Sequence, residues 1–274
     1  MLTQTTSGYT SPSGIYYESL GCGEPVLAIH GIISDHSFFE EAAALMSDNH
    51  LWVTYDRRGY DKSHSSGNED YSISAQTEDA SEVLRSVTDH PAWILGHSAG
   101  GLIALLLAVR YPELVRGLIL LETPICCDKH LSQEIDQWFR QLEDIRDSGK
   151  IKKALPLFSR QIGGSAPGRG FDLAKIQRTY RNLGTFLNGE LDSLHKDTIA
   201  IEQLRQISVP CRILVTEHGQ SSIFGQSVQD TAARMHWPIT LIPGYHNVIQ
   251  EDPAAFASAF LPILQDMMPY CSYE

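Results

Sequence analysis

Ala92-Trp93-Ile94-Leu95-Gly96-His97-Ser98-Ala99-Gly100-Gly101 is the stretch on which the reading of this chain turns. Trp93, Ile94 and Leu95 form a short apolar run of buried-strand character, and Leu102–Val109 continues as an apolar run of helical length. Between them stands a G-x-S-x-G, the pattern of a sharp strand-to-helix turn that lifts a serine hydroxyl above a sheet edge. The glycines let strand and helix backbones pass close around such a turn. The reading predicts Ser98 as a nucleophile. Without the flanking strand and helix, the same five residues would be an ordinary turn with a solvent-facing serine.

Outward from this stretch, strands and helices alternate. Residues 8–20 read as two short strands around the Ser11-Pro12-Ser13-Gly14 turn. Val26–Ile29 is an apolar strand ending at His30-Gly31, and Ser37-x-x-Glu40 reads as a capping box opening a helix. Leu51–Tyr55 is the next strand, followed by Asp56-Arg57-Arg58-Gly59-Tyr60-Asp61. Residues 74–88 place Ala80, Val83, Leu84 and Val87 on one helical face. Arg110-Tyr111-Pro112 ends the helix after Ser98, and Leu114–Leu121 is a strongly apolar strand ending at Glu122-Thr123-Pro124. From about residue 129 to 205 the pattern is helical only, with an apolar stripe of Leu131, Ile135, Trp138, Leu142 and Ile145 and later Phe158, Phe171, Tyr180 and Phe186. Strands resume with Ile213–Val215 and Ile239–Ile242 on either side of a helix near 224–236, and Asp252-Pro253 caps a terminal helix. The alternation predicts an α/β protein with a parallel sheet covered on both faces. Residues 1–128 and 206–274 are expected to form the core domain, and 129–205 an inserted helical cap.

Composition narrows the partners. The 274 residues carry a net charge of −12, which disfavours nucleic acid and anionic membranes as ligands. No apolar run reaches membrane-spanning length, and MLTQTTSGYT lacks the basic start and apolar middle of a signal peptide. Five cysteines without paired spacing read as reduced thiols in a cytoplasmic protein. Cys126-Cys127 have no further ligands at zinc spacing, so no metal is expected. A small-molecule substrate is the expected partner, and a homodimer stays open.

Taken together, the landmarks resemble the α/β-hydrolase superfamily. His30-Gly31, Asp56-x-Arg58-Gly59, the G-x-S-x-G at 96–100, Gly244-Tyr245-His246 and Glu251-x-Pro253 follow the family's order and spacing at successive strand ends. The resemblance implies the α/β-hydrolase fold, an eight-stranded, mostly parallel sheet with an inserted helical cap, and catalysis without a cofactor. One departure is Asp61, where family members usually have glycine; aspartate tolerates unusual turn dihedrals, so no loss of fold is expected.

Acyl transfer needs a nucleophile, a base, an orienting acid and an oxyanion site. His246, in the loop after the last strand, is the expected base for Ser98. His97 is expected to point away from the serine, and His30 to support the oxyanion loop. The backbone N–H groups of Ile32 and Ala99 are the expected oxyanion donors. The acid is the second departure. The family usually carries it as Asp in the loop after the strand at 212–215, and here Gly219 stands where that Asp would fall. Glu122, at the end of the preceding core strand, can reach the same imidazole, with Glu217 and Asp128 as alternatives. Leu121-Glu122-Thr123-Pro124 is similar to the acid-bearing stretch of fungal lactonases that open the resorcylate macrolactone zearalenone. Ile33, His36, Trp138, Phe139 and Leu142 are expected to line an apolar substrate pocket. The predicted activity is hydrolysis of a carboxylic ester or lactone by Ser98, His246 and Glu122. The alternatives are a C–C bond hydrolase on the same residues and a ligand receptor with slow turnover.

Overall fold

The computed structural model describes residues 5–63, 69–125, 132–161, 173–197 and 199–268. Asp128, Cys126, Cys127, Leu131 and Phe171 therefore fall outside the described residues.

Eight strands form one sheet. In chain order they are β1 (Thr6–Tyr9), β2 (Tyr16–Leu20), β3 (Glu24–Ile29), β4 (His50–Tyr55), β5 (Ala92–His97), β6 (Val115–Leu121), β7 (Cys211–Thr216) and β8 (Ile239–Ile242). Their spatial order is β1-β2-β4-β3-β5-β6-β7-β8. The first two pairings are antiparallel and all the others parallel. This is the expected mostly parallel sheet. The order of the strands on either side of β3 reverses there, so the C-terminal ends of β3 and β5 flank a crevice, the place where open α/β sheets bind ligands.

The helices are α1 (Glu40–Met46), α2 (Ile73–Val87), α3 (Ala99–Arg110), α4 (Gln133–Asp147), α5 (Ala154–Gln161), α6 (Leu173–Thr185), α7 (Leu191–Lys196), α8 (Ile201–Leu204), α9 (Gly225–Met235), α10 (Val248–Glu251) and α11 (Pro253–Met267). One face of the sheet packs against α2, α3, α8 and α9. The other packs against α1, α10 and α11. Because both faces are covered, β5 is buried along its whole length and β6 almost so, which is why both read as continuous apolar runs. α3 lies between the sheet and α2 and is apolar nearly all round for the same reason. Each fully buried Leu or Ile of this layer contributes about 1.5–3 kcal/mol.

Between β6 and β7 the described chain is helical. α4, α5, α6 and α7 enclose a third apolar cluster built on Ile135, Trp138, Leu142, Phe158 and Phe186. α6 and α7 form one continuous helical run interrupted by a single π turn, Phe186–Glu190.

Two local expectations change or gain a cause. The residue capping the turn before α1 is Asp35 rather than Ser37: its Oδ1 accepts the Ser37 N–H at 3.0 Å, and a 3-10 turn, His36–Phe39, precedes the α-helix. The shorter aspartate reach to the second following N–H wins over the Ser37–Glu40 box. Asp61 takes a positive φ of 31°, a conformation that favours glycine and that aspartate tolerates.

Candidate active site

Ser98 sits at the end of β5, where the chain reverses into α3. Its backbone is held at φ 52° and ψ −128°, outside the regions an L-residue prefers. Its N–H donates to Leu121 O at 2.9 Å, and its carbonyl accepts the Gly101 N–H at 2.9 Å, so both flanking elements fix the strained turn. Gly100 is required sterically: a Cβ there would lie 2.2 Å from the Ile29 carbonyl oxygen. The result is a serine that lines a cavity of about 680 Å³.

His246 and Glu122 line the same cavity. His246 Nδ1 and Glu122 Oε2 are 3.4 Å apart, with both side chains less than a tenth exposed. The contact is at the long end of a hydrogen bond. Nδ1–H donates to the carboxylate, which leaves Nε2 as the basic nitrogen. Among the described residues no hydrogen bond joins Ser98 to His246.

Glu122 follows the last residue of β6 and also takes a positive φ, 52°. Its N–H donates to Leu214 O at 3.0 Å, and its Oε1 accepts the Thr216 N–H at 2.5 Å and the Thr216 hydroxyl at 3.0 Å. One carboxylate oxygen is thus held by β7 and the other faces His246. The space it fills explains Gly219. A Cβ on Gly219 would lie 2.1 Å from Glu122 Oε1 and 2.2 Å from Oε2. The carboxylate occupies the volume into which a side chain at 219 would project. Glu217, in contrast, is exposed and pairs its N–H with Ile242 O at 3.0 Å, away from His246. Asp128 lies outside the described residues.

The remaining sequence-derived residues divide. Ile32 and Ala99 line the cavity. Among the described residues their N–H groups have no acceptor. Ile33, Trp138 and Phe139 also line it. Leu142 does not; it is fully buried within the cluster of α4 to α7. His36 does not either, although Asp35 and Ser37 on both sides do. Its Nδ1 is 2.7 Å from Asp56 Oδ1 and its Nε2 3.3 Å from Glu18 Oε1. The 3-10 turn rotates its ring back toward β2 and β4. Burial alone would lower the His36 pKa; the bond and charge of Asp56 and the charge of Glu18 outweigh it and raise it.

His97 and His30 are kept neutral. Burial, then the neighbouring His246, pushes the His97 pKa well below its usual value. Its Nε2–H donates to the His246 carbonyl at 2.9 Å and its ring stacks on Phe38, so it props the loop that carries His246. Burial and the Arg57 charge do the same to His30, whose Nδ1–H donates to Gly31 O at 2.7 Å and whose Nε2 accepts the Arg57 N–H at 3.1 Å.

Sequence reading missed one group of residues. Arg57 forms a fully buried ion pair with Glu190 of the π turn. Tyr60 O–H donates to the same carboxylate at 2.5 Å, and Gln76 Nε2 at 3.2 Å. Arg57 also donates to Gly31 O at 2.9 Å. A buried, multiply bonded pair thus ties the helices after β6 to the loop that presents Ile32. The signal was a lone acid, Glu190, in the apolar setting of Phe186, Leu187 and Leu191.

Comparison with known proteins agrees with this architecture. A family model described as the alpha/beta hydrolase fold matches residues 24–164. An uncharacterized hydrolase of Bacillus subtilis (strain 168), YraK, is 29% identical over 208 residues, covering 74% of this chain and 73% of that protein. Among solved structures, a thermophilic esterase from Thermogutta terrifontis is 20% identical with a TM-score of 0.72, over 96% of this chain and 99% of that one. A bromoperoxidase from Bacillus anthracis is 18% identical with a TM-score of 0.77, over 96% of this chain and 100% of that one. At such identities the two structures share the fold.

Proposed function

The chain belongs to the alpha/beta hydrolase family, and from that premise we propose that it is a serine hydrolase acting on a carboxylic ester or lactone of largely apolar character. The observation that carries this reading is the His246–Glu122 contact in the wall of a cavity that Ser98 also lines.

In the proposed mechanism His246 Nε2 takes the Ser98 proton as the oxygen attacks the carbonyl carbon. Glu122 holds the imidazole in the Nδ1–H tautomer and stabilises the cation that forms. The N–H groups of Ile32 and Ala99 receive the oxyanion. The imidazolium then gives its proton to the leaving alkoxide, and water, deprotonated by His246, releases the acid and restores Ser98. All steps use side chains and backbone of this chain, so no cofactor is called for.

The helices α4 to α7 act in this reading as a cap over the cavity, with residues 129–205 as the inserted unit and the rest as the core. A cavity of about 680 Å³ lies in the range of drug-sized ligands. The resorcylate macrolactones suggested by the Leu121-Glu122-Thr123-Pro124 stretch belong in the substrate panel for that reason.

The test is hydrolysis of p-nitrophenyl esters, γ- and δ-lactones and a resorcylate macrolactone by the protein and by Ser98→Ala side by side. Turnover abolished by the substitution supports the assignment. Absence of turnover on every substrate by folded protein overturns it and favours the C–C hydrolase or receptor alternatives.

A further inference from the structure

The cavity extends well past the three residues of the proposed mechanism. Beyond Pro124 and Ile125 it runs along α9 at Gly225 and Val228, and then along the edge strand β8 to Leu241 and Ile239. Ile239 and Leu241 are 43% and 53% exposed, unusual for large apolar side chains in a sheet. Alternation along the strand puts both on one face of β8, beside Ile213 and Val215 of β7, their register partners.

The two ends of the cavity differ in polarity. Near Ile33 it is lined by Asp35, Arg178 and Asn182; Arg178 Nε lies 3.6 Å from Asp35 Oδ2, and Asn182 donates to the same oxygen at 3.2 Å. Along α9 and β8, none of the described lining residues past Glu122 carries a charge, and the polar ones are neutral amides and hydroxyls such as Gln229 and Ser222. An apolar floor, open at its side and continuous with a cavity holding a nucleophile, suits an uncharged flexible chain.

We infer that the β8–α9 arm is a subsite for the long aliphatic chain of the substrate, with Leu241 and Ile239 as specificity-determining residues. The inference rests on the hydrolase reading for its chemistry, though the binding itself does not need turnover. β8 spans about 10 Å from Ile239 to Ile242, so a chain laid along it gains from length until it passes Ile239. Each methylene it removes from water strengthens binding by a factor of about four.

Two measurements test this. In the first, 1-dodecanol is added to the Ser98→Ala protein and the melting temperature followed. A rise of about 3 °C, lost on adding Leu241→Asp or Ile239→Ser, is the expected result. Leu45→Asp, an equally exposed apolar side chain on α1 outside the cavity, is expected to keep the rise. In the second, kcat/KM is compared for methyl laurate, dodecyl acetate and ethyl acetate. Leu241→Asp is expected to lower the long-to-short ratio by about tenfold, and the preferred long ester tells whether the chain enters as acyl or alcohol. A dodecanol shift that is absent, or unmoved by both substitutions, overturns the subsite. A shift that behaves as expected in a protein that hydrolyses neither these esters nor the esters and lactones of the panel above keeps the subsite and overturns the hydrolase reading.

Discussion

His246 against Glu122 and His36 against Asp56 are the same chemical contact in two settings. The His36 contact is the shorter, 2.7 Å against 3.4 Å. Each carboxylate accepts two bonds besides the imidazole, from His36 N–H and Lys62 N–H at Asp56 and from the Thr216 N–H and hydroxyl at Glu122, but Glu18 and Lys62 crowd the far ring nitrogen of His36. His246 has its carboxylate on one side and the cavity on the other. Hydrogen-bond length therefore does not separate the proposed catalytic pair from the structural one. What distinguishes them is a free basic nitrogen facing the space where a substrate carbonyl can sit.

The comparison breaks first at Glu122. Glu122→Gln is expected to lower kcat on the best ester by on the order of 10³ to 10⁴, measured by steady-state kinetics, with melting temperature little changed. A variant near wild type would move the acid elsewhere.

Gly219→Ala is the next largest effect. The new Cβ falls on the Glu122 carboxylate, the mobile end of a side chain, so the fold survives while the acid moves. A fall of about 10- to 100-fold in kcat with unaltered melting is expected, and an unchanged kcat would show that the carboxylate's position is immaterial.

Asp56→Asn should reverse the pattern. It is expected to cost about 1–3 kcal/mol in urea unfolding, because two backbone donors and the His36 ring lose a charged acceptor. Its kcat should stay within about threefold of wild type. A large kcat loss at unchanged stability would give the second pair a role in catalysis.

His36 sharpens the contrast through pH. Its folded pKa is raised above that of the unfolded chain, about 6.5, so the stability it contributes is fully present below that value and is lost as pH rises through the folded pKa. Glu18, Asp56, Lys62 and Tyr16 are the ionisable groups around it. His36→Gln should therefore lower the melting temperature more at about pH 5 than at about pH 9. An equal loss at both would assign His36 to packing alone.

The smallest effect is at Glu217. Exposed and bonded only through its backbone, it should tolerate Gln with kcat within about twofold of wild type.

The arrangement of β5, Ser98 and α3 was legible in the sequence because it is local: ten consecutive residues contain the strand, the turn and the start of the helix. Alternating apolar runs made the parallel sheet legible in the same way, since both faces of each central strand are covered. The place of Glu122 could be read only as one candidate among several. Its choice depends on β6 and β7 lying side by side and on Thr216, 94 residues away, holding one oxygen. Gly219 was visible as a missing acid, but that the Glu122 carboxylate fills the space of its absent side chain is a fact of tertiary packing.

Other sites required the folded chain altogether. Leu142 shares the apolar stripe of Trp138 and Phe139, yet a helix has two sides to that stripe, and only packing against α5 to α7 decided which residues face the cavity. His36 lies between two cavity residues, and a single 3-10 turn sends it to Asp56. Arg57 and Glu190 are 133 residues apart and meet in a fully buried pair. The sequence by itself determined the elements, their order and the turn at Ser98, because these follow from periodicity and from contacts between near neighbours. The tertiary structure decided which acid meets His246, which side chains border the cavity and how Arg57 ties Glu190 to the Gly31–Ile32 loop, because those depend on groups distant in the chain competing for the same small volume.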